Sequence, residues 1–273
     1  LNKQKTIINK LDFSLTKDQI KSLNEINRDL SSTNKMFRLL QGDVGSGKTI
    51  VSLLGAINTI NSGFQVAFMA PTEILAKQHF KLAKKIFPSN INIELISGKS
   101  EYKVKKEILK KLENNKIDII FGTHAIFQKK ITYKRLGLII IDEQHKFGVN
   151  QRKKLSDKGG LDCDVLLMTA TPIPRTLTMT IYGDMDISII REKPKNRKPI
   201  KTYSKLEAKI EEVLKFINKE IKFNNQIFWV CPLIEESKKL DHASAVKKFD
   251  FLKKIFPDKV SLLHGKTKID EKE

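Results

Sequence analysis

The chain has 273 residues, 40% of them hydrophobic and 30% charged, which is enough for one large or two ordinary domains. Fifty-one Lys and Arg against 31 Asp and Glu leave a net +20 at pH 7, a balance that favours a polyanionic partner such as nucleic acid, although solvated lysine faces contribute to it. No run approaches the roughly 20 apolar residues that cross a bilayer. Cys163 and Cys231 are too few and too far apart for a disulfide framework or a zinc site, so a reducing, cytoplasmic compartment is expected.

The opening Leu1-Asn2-Lys3-Gln4 has neither an initiator Met nor a signal-peptide core, and it reads as the start of a fragment. Thr16-Lys17-Asp18-Gln19 fits a capping box, and Ile20, Leu23, Ile26 and Leu30 follow it as a helical stripe. Met36–Leu40 is a short apolar run of strand type, and Ile50–Ala56 continues as a buried helix. Gln65–Ala70 reads as a strand, Thr72–Phe87 as a helix with Leu75, Leu82 and Ile86 on one face, and Asn92–Ile96 as a strand. Tyr102–Leu112 is a basic helix whose Lys103–Lys111 charge run is a solvated face. Asp118–Gly122, Leu138–Ile141 and Val165–Thr169 are further apolar strands. Continuous apolar strands alternating with helices predict an α/β fold, a parallel sheet covered by helices on both faces.

The charged, proline-bounded stretch Arg191–Pro199 predicts a linker. Beyond it, Leu206, Ile210, Leu214, Ile217 and Ile221 mark an amphipathic helix, Ile227–Val230 a strand, residues near 240–255 a helix and Val260–Leu263 another strand. The expected division is a first domain over 1–191, a linker over 192–199 and a partial second α/β domain over 200–273.

Between the first strand and its helix lies Gly42-Asp43-Val44-Gly45-Ser46-Gly47-Lys48-Thr49, a G-x-x-x-x-G-K-T loop. Its amides can wrap phosphates, and glycines let the backbone approach without Cβ clashes. Lys48 would reach the outer phosphates and the Thr49 hydroxyl would ligate Mg²⁺. ATP with Mg²⁺ is the implied ligand pair. The apolar strand Leu138–Ile141 delivers Asp142 and Glu143 to its C-terminal end. Asp142 suits a hard cation that bridges phosphate oxygens, and Glu143 would orient and deprotonate the attacking water. Each motif falls just past a strand end, where open α/β sheets place their ligands.

Gly42–Thr49, Ala70-Pro71-Thr72-Glu73, Gly122-Thr123-His124, Asp142-Glu143-Gln144-His145 and Thr169-Ala170-Thr171 together resemble the ordered motif series of superfamily-2 helicases. The longer strings Gln41–Thr49, Ile141–Val149, Met168–Leu177 and Trp229–Ser237 narrow the resemblance to the RecG family of DNA branch-migration helicases. A transcription-repair coupling factor shares Thr169–Arg175 but usually carries Glu where this chain has Gln144.

The resemblance implies a RecA-like P-loop NTPase lobe followed by part of a second. It implies that Gln19 reads adenine, a role that competes with its place in the capping box. Gln144 and His145 would couple the γ-phosphate to the second lobe and to DNA. Thr169, Ala170 and Thr171 would bridge the nucleotide site to DNA-facing loops, while Pro71, Thr72, Thr123 and His124 would touch DNA phosphates. Arg152 and Arg175 are further candidate electrostatic contacts.

The linker departs from the family, with Lys195-Asn196 where Pro-Gly is usual. The implied activity is ATP-driven double-stranded DNA translocation that remodels forks and junctions, by a monomer with branched DNA as partner and no membrane. Without the family's wedge domain and later motifs, including its arginine finger, this stretch is expected to turn over ATP slowly or not at all. A non-catalytic nucleotide-dependent DNA-binding module is the rival from another class.

Overall fold

A computed structural model describes residues 2–98, 102–128, 131–143, 163–171, 185–193, 200–231, 238–263 and 267. The chain folds as two compact units, Leu1–Lys198 and Pro199–Glu273.

In the first unit, seven strands form one sheet, β1 (Phe37–Gly42), β2 (Gln65–Met69), β3 (Ile93–Ile96), β4 (Ile119–Gly122), β5 (Leu136–Ile141), β6 (Asp164–Thr169) and β7 (Asp186–Ile190). Their order is β3-β4-β2-β5-β6-β1-β7, and every pairing is parallel. The helices are α1 (Asn2–Asn9), α2 (Lys17–Leu30), α3 (Lys48–Asn61), α4 (Glu73–Ile86) and α5 (Tyr102–Glu113).

Strand alternation sends successive apolar side chains to opposite faces. Leu40, Phe68, Phe121, Ile140 and Met168 enter a core with Leu23, Ile26, Leu53, Leu54 and Ile57 from α2 and α3. Leu39, Met69, Ile120, Ile139 and Leu167 enter a second core with Ile108 and Leu112 from α5. The sheet is therefore covered on both sides, and its inner strands β4 and β5, buried along their whole length, carry no polar side chain because neither face meets water.

The helices depart from expectation in which residues they bury. In α4 the deepest residues are Ala76, His79 and Ala83, with Leu82 and Ile86 only partly buried at the flank of the same core. Small residues let that helix lie close to the sheet. In α2 the buried face is Gln19, Ser22, Leu23 and Ile26, and Ile20 is exposed. Two elements had no forecast, α1 and the edge strand β7. Helix α1 docks through Gln4, whose amide donates to the Leu54 carbonyl at 2.8 Å.

The second unit contains α6 (Ile210–Lys222) and α7 (Lys238–Ile255), which bury Ile217, Leu252 and Phe256. Leu206, expected within the first of these helices, lies ahead of it and is exposed. Ile227–Val230 and Val260–Leu263, expected as strands, are irregular. A strand exists only when a neighbour completes its ladder of N–H and C=O bonds. The described residues of this unit contain no strand to act as that neighbour.

Candidate nucleotide site

The site lies along the C-terminal edge of the sheet. Strand β1 runs to Gly42, and α3 starts at Lys48 with Gly47 as its N-cap at φ 89°. Gly45 is also left-handed, at φ 76°. Gly47 has a second reason to lack a side chain, because a Cβ there would sit 2.3 Å from the Gln19 amide nitrogen. The loop is braced internally by the Ser46 amide donating to the Asp43 carbonyl at 3.0 Å and the Val44 amide to the Asp43 carboxylate at 2.8 Å.

Gln19 clamps the loop from outside. Its side-chain nitrogen donates to the Ser46 carbonyl at 2.7 Å, and its oxygen accepts from the Thr16 amide at 2.9 Å. The Thr16 hydroxyl oxygen in turn accepts from the Gln19 backbone amide, so the expected capping box is present. One buried amide side chain thus ties the start of α2 to the phosphate loop. Reading adenine would require it to exchange these partners.

Lys48 is buried, and its ammonium donates to the carbonyls of Gly42 at 2.6 Å and Asp43 at 3.2 Å. Burial pushes its pKa below the ordinary lysine value, opposed by the nearby carboxylates of Glu143, Asp142 and Asp43. The loop lysine and both acidic residues, almost 100 positions apart in sequence, therefore share one electrostatic site.

Asp142 follows β5 with its amide still bonded to the Met69 carbonyl at 2.9 Å, which extends the ladder one residue beyond the strand. Its carboxylate is buried, with Oδ2 2.8 Å from Nε2 of His79. Glu143 adopts φ 53°, a left-handed geometry costly for a side chain of this size and common where function fixes the backbone. Thr49, at the first turn of α3, and Asp142 offer hard oxygen donors of the kind a divalent cation takes. Ser46 Oγ is buried with no hydrogen-bond partner in the protein. Phosphate oxygens would supply the missing acceptor, so these residues fit a nucleotide's phosphates.

Thr169 ends β6, is fully buried and pairs in register with Gln41 beside the loop. Its hydroxyl oxygen accepts from the Thr171 amide at 3.1 Å, folding Thr169-Ala170-Thr171 into a tight turn next to the phosphate loop. Thr72 is the N-cap of α4 and accepts from the Leu75 amide at 3.3 Å. Thr123 precedes a short 3₁₀ turn at His124–Phe127, and the His124 side chain is exposed.

Strand order sorts these groups along the edge. Pro71, Thr72, Thr123 and His124 leave the adjacent strands β2 and β4, whereas the phosphate loop, Thr169 and Asp142 leave β1, β6 and β5. Four strand steps separate β4 from β1, roughly 19 Å. Gln144, His145, Arg152 and Arg175 lie outside the described residues, as do Lys195 and Asn196. His79 had no place among the expected site residues. Its signal was the spacing of Ala76, His79 and Ala83 on one helix face.

A family model described as DEAD/DEAH box helicase matches residues 16–180. The chain belongs to the DEAD/DEAH box helicase family. Members of that family use ATP. The chain is 49% identical to the ATP-dependent DNA helicase RecG of Aquifex aeolicus, over 97% of its own length and 34% of that protein. It is 48% identical to RecG of Bacillus subtilis, over 97% of its length and 39% of the relative. A solved structure of RecG bound to a three-way DNA junction superimposes with a TM-score of 0.78 at 40% identity, covering 92% of this chain and 33% of the other. The chain thus follows RecG helicases along nearly all its length while spanning little more than a third of theirs. The RecA-like sheet expected from the motifs is present. Among the described residues, no helix is long and apolar enough to cross a membrane.

Proposed function

We propose that this chain is the nucleotide-binding part of an ATP-dependent double-stranded DNA translocase that remodels stalled forks and recombination junctions by branch migration and fork reversal. The observation that carries the reading is the meeting of Lys48, Asp142 and Glu143 at one sheet edge, in a chain 48–49% identical to RecG helicases. The RecG structure with a three-way junction supports branched DNA as the partner, and the +20 charge fits it. Residues 1–191 form the first lobe, 192–199 the linker and 200–273 the beginning of a second, a reading supported by the two compact units. The two free cysteines fit a cytoplasmic protein.

The amides of residues 42–49 wrap the triphosphate at the positive end of α3, and Lys48 pairs with its outer oxygens. Thr49 and Asp142 would hold a Mg²⁺ ion, which when bound would supply positive charge against that building on the phosphate oxygens. Glu143 orients the attacking water and takes its proton. Gln19 reads the adenine edge after trading its Ser46 and Thr16 partners. Gln144 and His145, with the Thr169–Thr171 turn, couple the nucleotide site to DNA. Pro71, Thr72, Thr123 and His124 meet phosphates of one DNA strand, using the α4 N-terminus and exposed polar groups.

The test is Mg²⁺-ATP hydrolysis with and without forked DNA, by this chain and by the protein extended through a complete second lobe. Fork-stimulated turnover by the longer protein is expected, with slow turnover by the shorter. Glu143→Gln is expected to cut turnover by about 10²–10⁴-fold while nucleotide still binds. Unchanged DNA-dependent behaviour in Glu143→Gln would establish a binding module instead.

A further inference from the structure

Among the described residues, His79 is the one buried imidazole whose polar contact reaches the nucleotide site without belonging to any motif. Helix α4 carries it inward between Ala76 and Ala83, to 7% exposure, against a core of apolar side chains. Its ring lies against Phe68 at 4.9 Å between centroids, and Phe68 in turn packs on Phe121 at 5.0 Å. A ring wedged in this way has little rotational freedom. Nε2 meets Oδ2 of Asp142 at 2.8 Å. An ionised carboxylate only accepts, so Nε2 is the nitrogen that carries the proton and donates.

A buried His–Asp pair is a poor way to stabilise a core, since a well-packed apolar pair of similar volume is often as stable or more so. Its geometric effect is specific. The Asp142 backbone is fixed by its bond to Met69, and one carboxylate oxygen is fixed by His79. Hydrogen-bonded partners of ligating carboxylates set ligand orientation, and their loss typically costs about 10–100-fold in metal affinity or activity.

We propose that His79 is a positioning residue for the cation step. By holding Oδ2 of Asp142, it presents Oδ1 to the divalent cation that accompanies the triphosphate. This rests on the nucleotide-binding reading given above. The role is carried by helix α4, so the segment that starts at the Pro71-Thr72 end of the sheet edge also supports the cation ligand on β5.

The readout is the gain in nucleotide affinity that Mg²⁺ confers. It is measured on this chain with a fluorescent, non-hydrolysable β,γ-imido ATP analogue, once in EDTA and once in excess Mg²⁺. Three variants divide the outcomes. His79→Leu keeps bulk and removes the donor. His79→Gln places its amide nitrogen about as far from the backbone as Nε2, and His79→Asn carries the same group one methylene short. The expected result is a loss of about tenfold or more in the Mg²⁺-dependent gain for Leu and Asn. Affinity in EDTA should stay unchanged, and Gln should retain most of the gain. If His79→Leu does not fold, the Asn–Gln contrast decides alone. Equal gains in wild type, Asn and Gln overturn the proposal, as does a loss that appears equally in EDTA, which would mark general damage to the phosphate loop. Failure of the wild-type chain to bind the analogue in either buffer overturns the nucleotide-binding reading itself, and this inference with it.

Discussion

Two runs of nearly the same chemistry meet opposite fates in the two units. Val66-Ala67-Phe68-Met69 is a fully buried strand with β4 on one side and β5 on the other. Ile227-Phe228-Trp229-Val230 is at least as β-prone, yet it is irregular, with Phe228 and Val230 both 81% exposed. The difference is not propensity, since β-propensity is a preference for a pleated, half-buried setting. It is partners. The first unit closes two apolar layers over its sheet, whereas the second buries Ile217, Leu252 and Phe256 between helices and leaves Phe216 and Phe223 in solvent. A nucleotide site that needs groups held to fractions of an ångström sits on the unit with the closed layers.

Thiol chemistry breaks this comparison most sharply, because each unit carries one cysteine. Cys163 is buried, and burial, with the Asp164 carboxylate adding to it, pushes its pKa up to about 12. At pH 8 only about one molecule in 10⁴ would hold the thiolate that reacts. Cys231 is partly accessible. An aromatic disulfide reagent at pH 8 is therefore expected to modify one thiol in the native chain and the second only on unfolding. The residual rate at Cys163 should rise about tenfold per pH unit until pH approaches 12. Two fast thiols would mean that the first unit opens as readily as the second.

Core truncations give the next largest contrast. Leu54 is wholly buried among the α2, α3 and sheet residues of the larger core, so Leu54→Ala is expected to cost about 3–5 kcal/mol. Ile217 is 8% exposed in a core of three buried residues, where neighbours relax around a gap, so Ile217→Ala should cost about 2 kcal/mol. The chain's single tryptophan, Trp229, packs against that smaller core and so reports on the second unit. Denaturation followed by its fluorescence should shift with Ile217→Ala and not with Leu54→Ala, and the helical circular dichroism of the first unit should do the reverse. Coincident shifts in both probes would show one cooperative unit rather than two.

What could be read ahead of the structure, and what could not, follows the range of the interactions. Local rules gave the capping box at Thr16–Gln19, the phosphate loop with its flanking strand and helix, and six apolar strands. Strand β7 was missed because Asp186 and Ser188 disguise it. Ser188 is buried with its hydroxyl donating to Glu25 at 2.5 Å and accepting from Arg38, 150 residues away, at 3.0 Å, while Arg38 also binds Asp29 at 2.6 Å. Nothing near Ser188 in sequence announces those partners. His79 was missed for the same reason, its Asp142 partner lying 63 positions downstream. The Gln19 ambiguity was legible as an ambiguity. Only the fold shows that one amide serves the cap and grips Ser46 together. In the second unit, composition alone favours strands at Ile227–Val230 and Val260–Leu263, where the described residues offer no neighbour to pair with them.

The smallest effect concerns how the first unit holds its own exit segment. The Asp18 carboxylate accepts from the amides of Arg191 at 2.8 Å and Glu192 at 3.0 Å, just past β7, and the Glu192 carboxylate accepts from the Asp18 amide at 3.2 Å. Those two amides, Glu192 first and then Arg191, hold the Asp18 carboxyl below its ordinary value of 3.8. A lowered folded-state pKa means that the bonds contribute fully above that ordinary value and are lost as pH falls through the lower, folded one. The site is exposed, so Asp18→Ala should cost well under about 1 kcal/mol at neutral pH. Hydrogen exchange resolves what global stability would not. In Asp18→Ala the amides of Arg191 and Glu192 should exchange several-fold faster at pH 7, with α2 unchanged because Thr16 and Gln19 still cap it. In the wild type the same release should appear only below about pH 3.8. Unchanged exchange at Arg191 and Glu192 would mean that β7 packing alone fixes the segment. Faster exchange spreading to Ser46 would instead mean that the neighbouring Gln19 clamp depends on Asp18, joining the exit of the sheet to the phosphate loop through a single turn of helix.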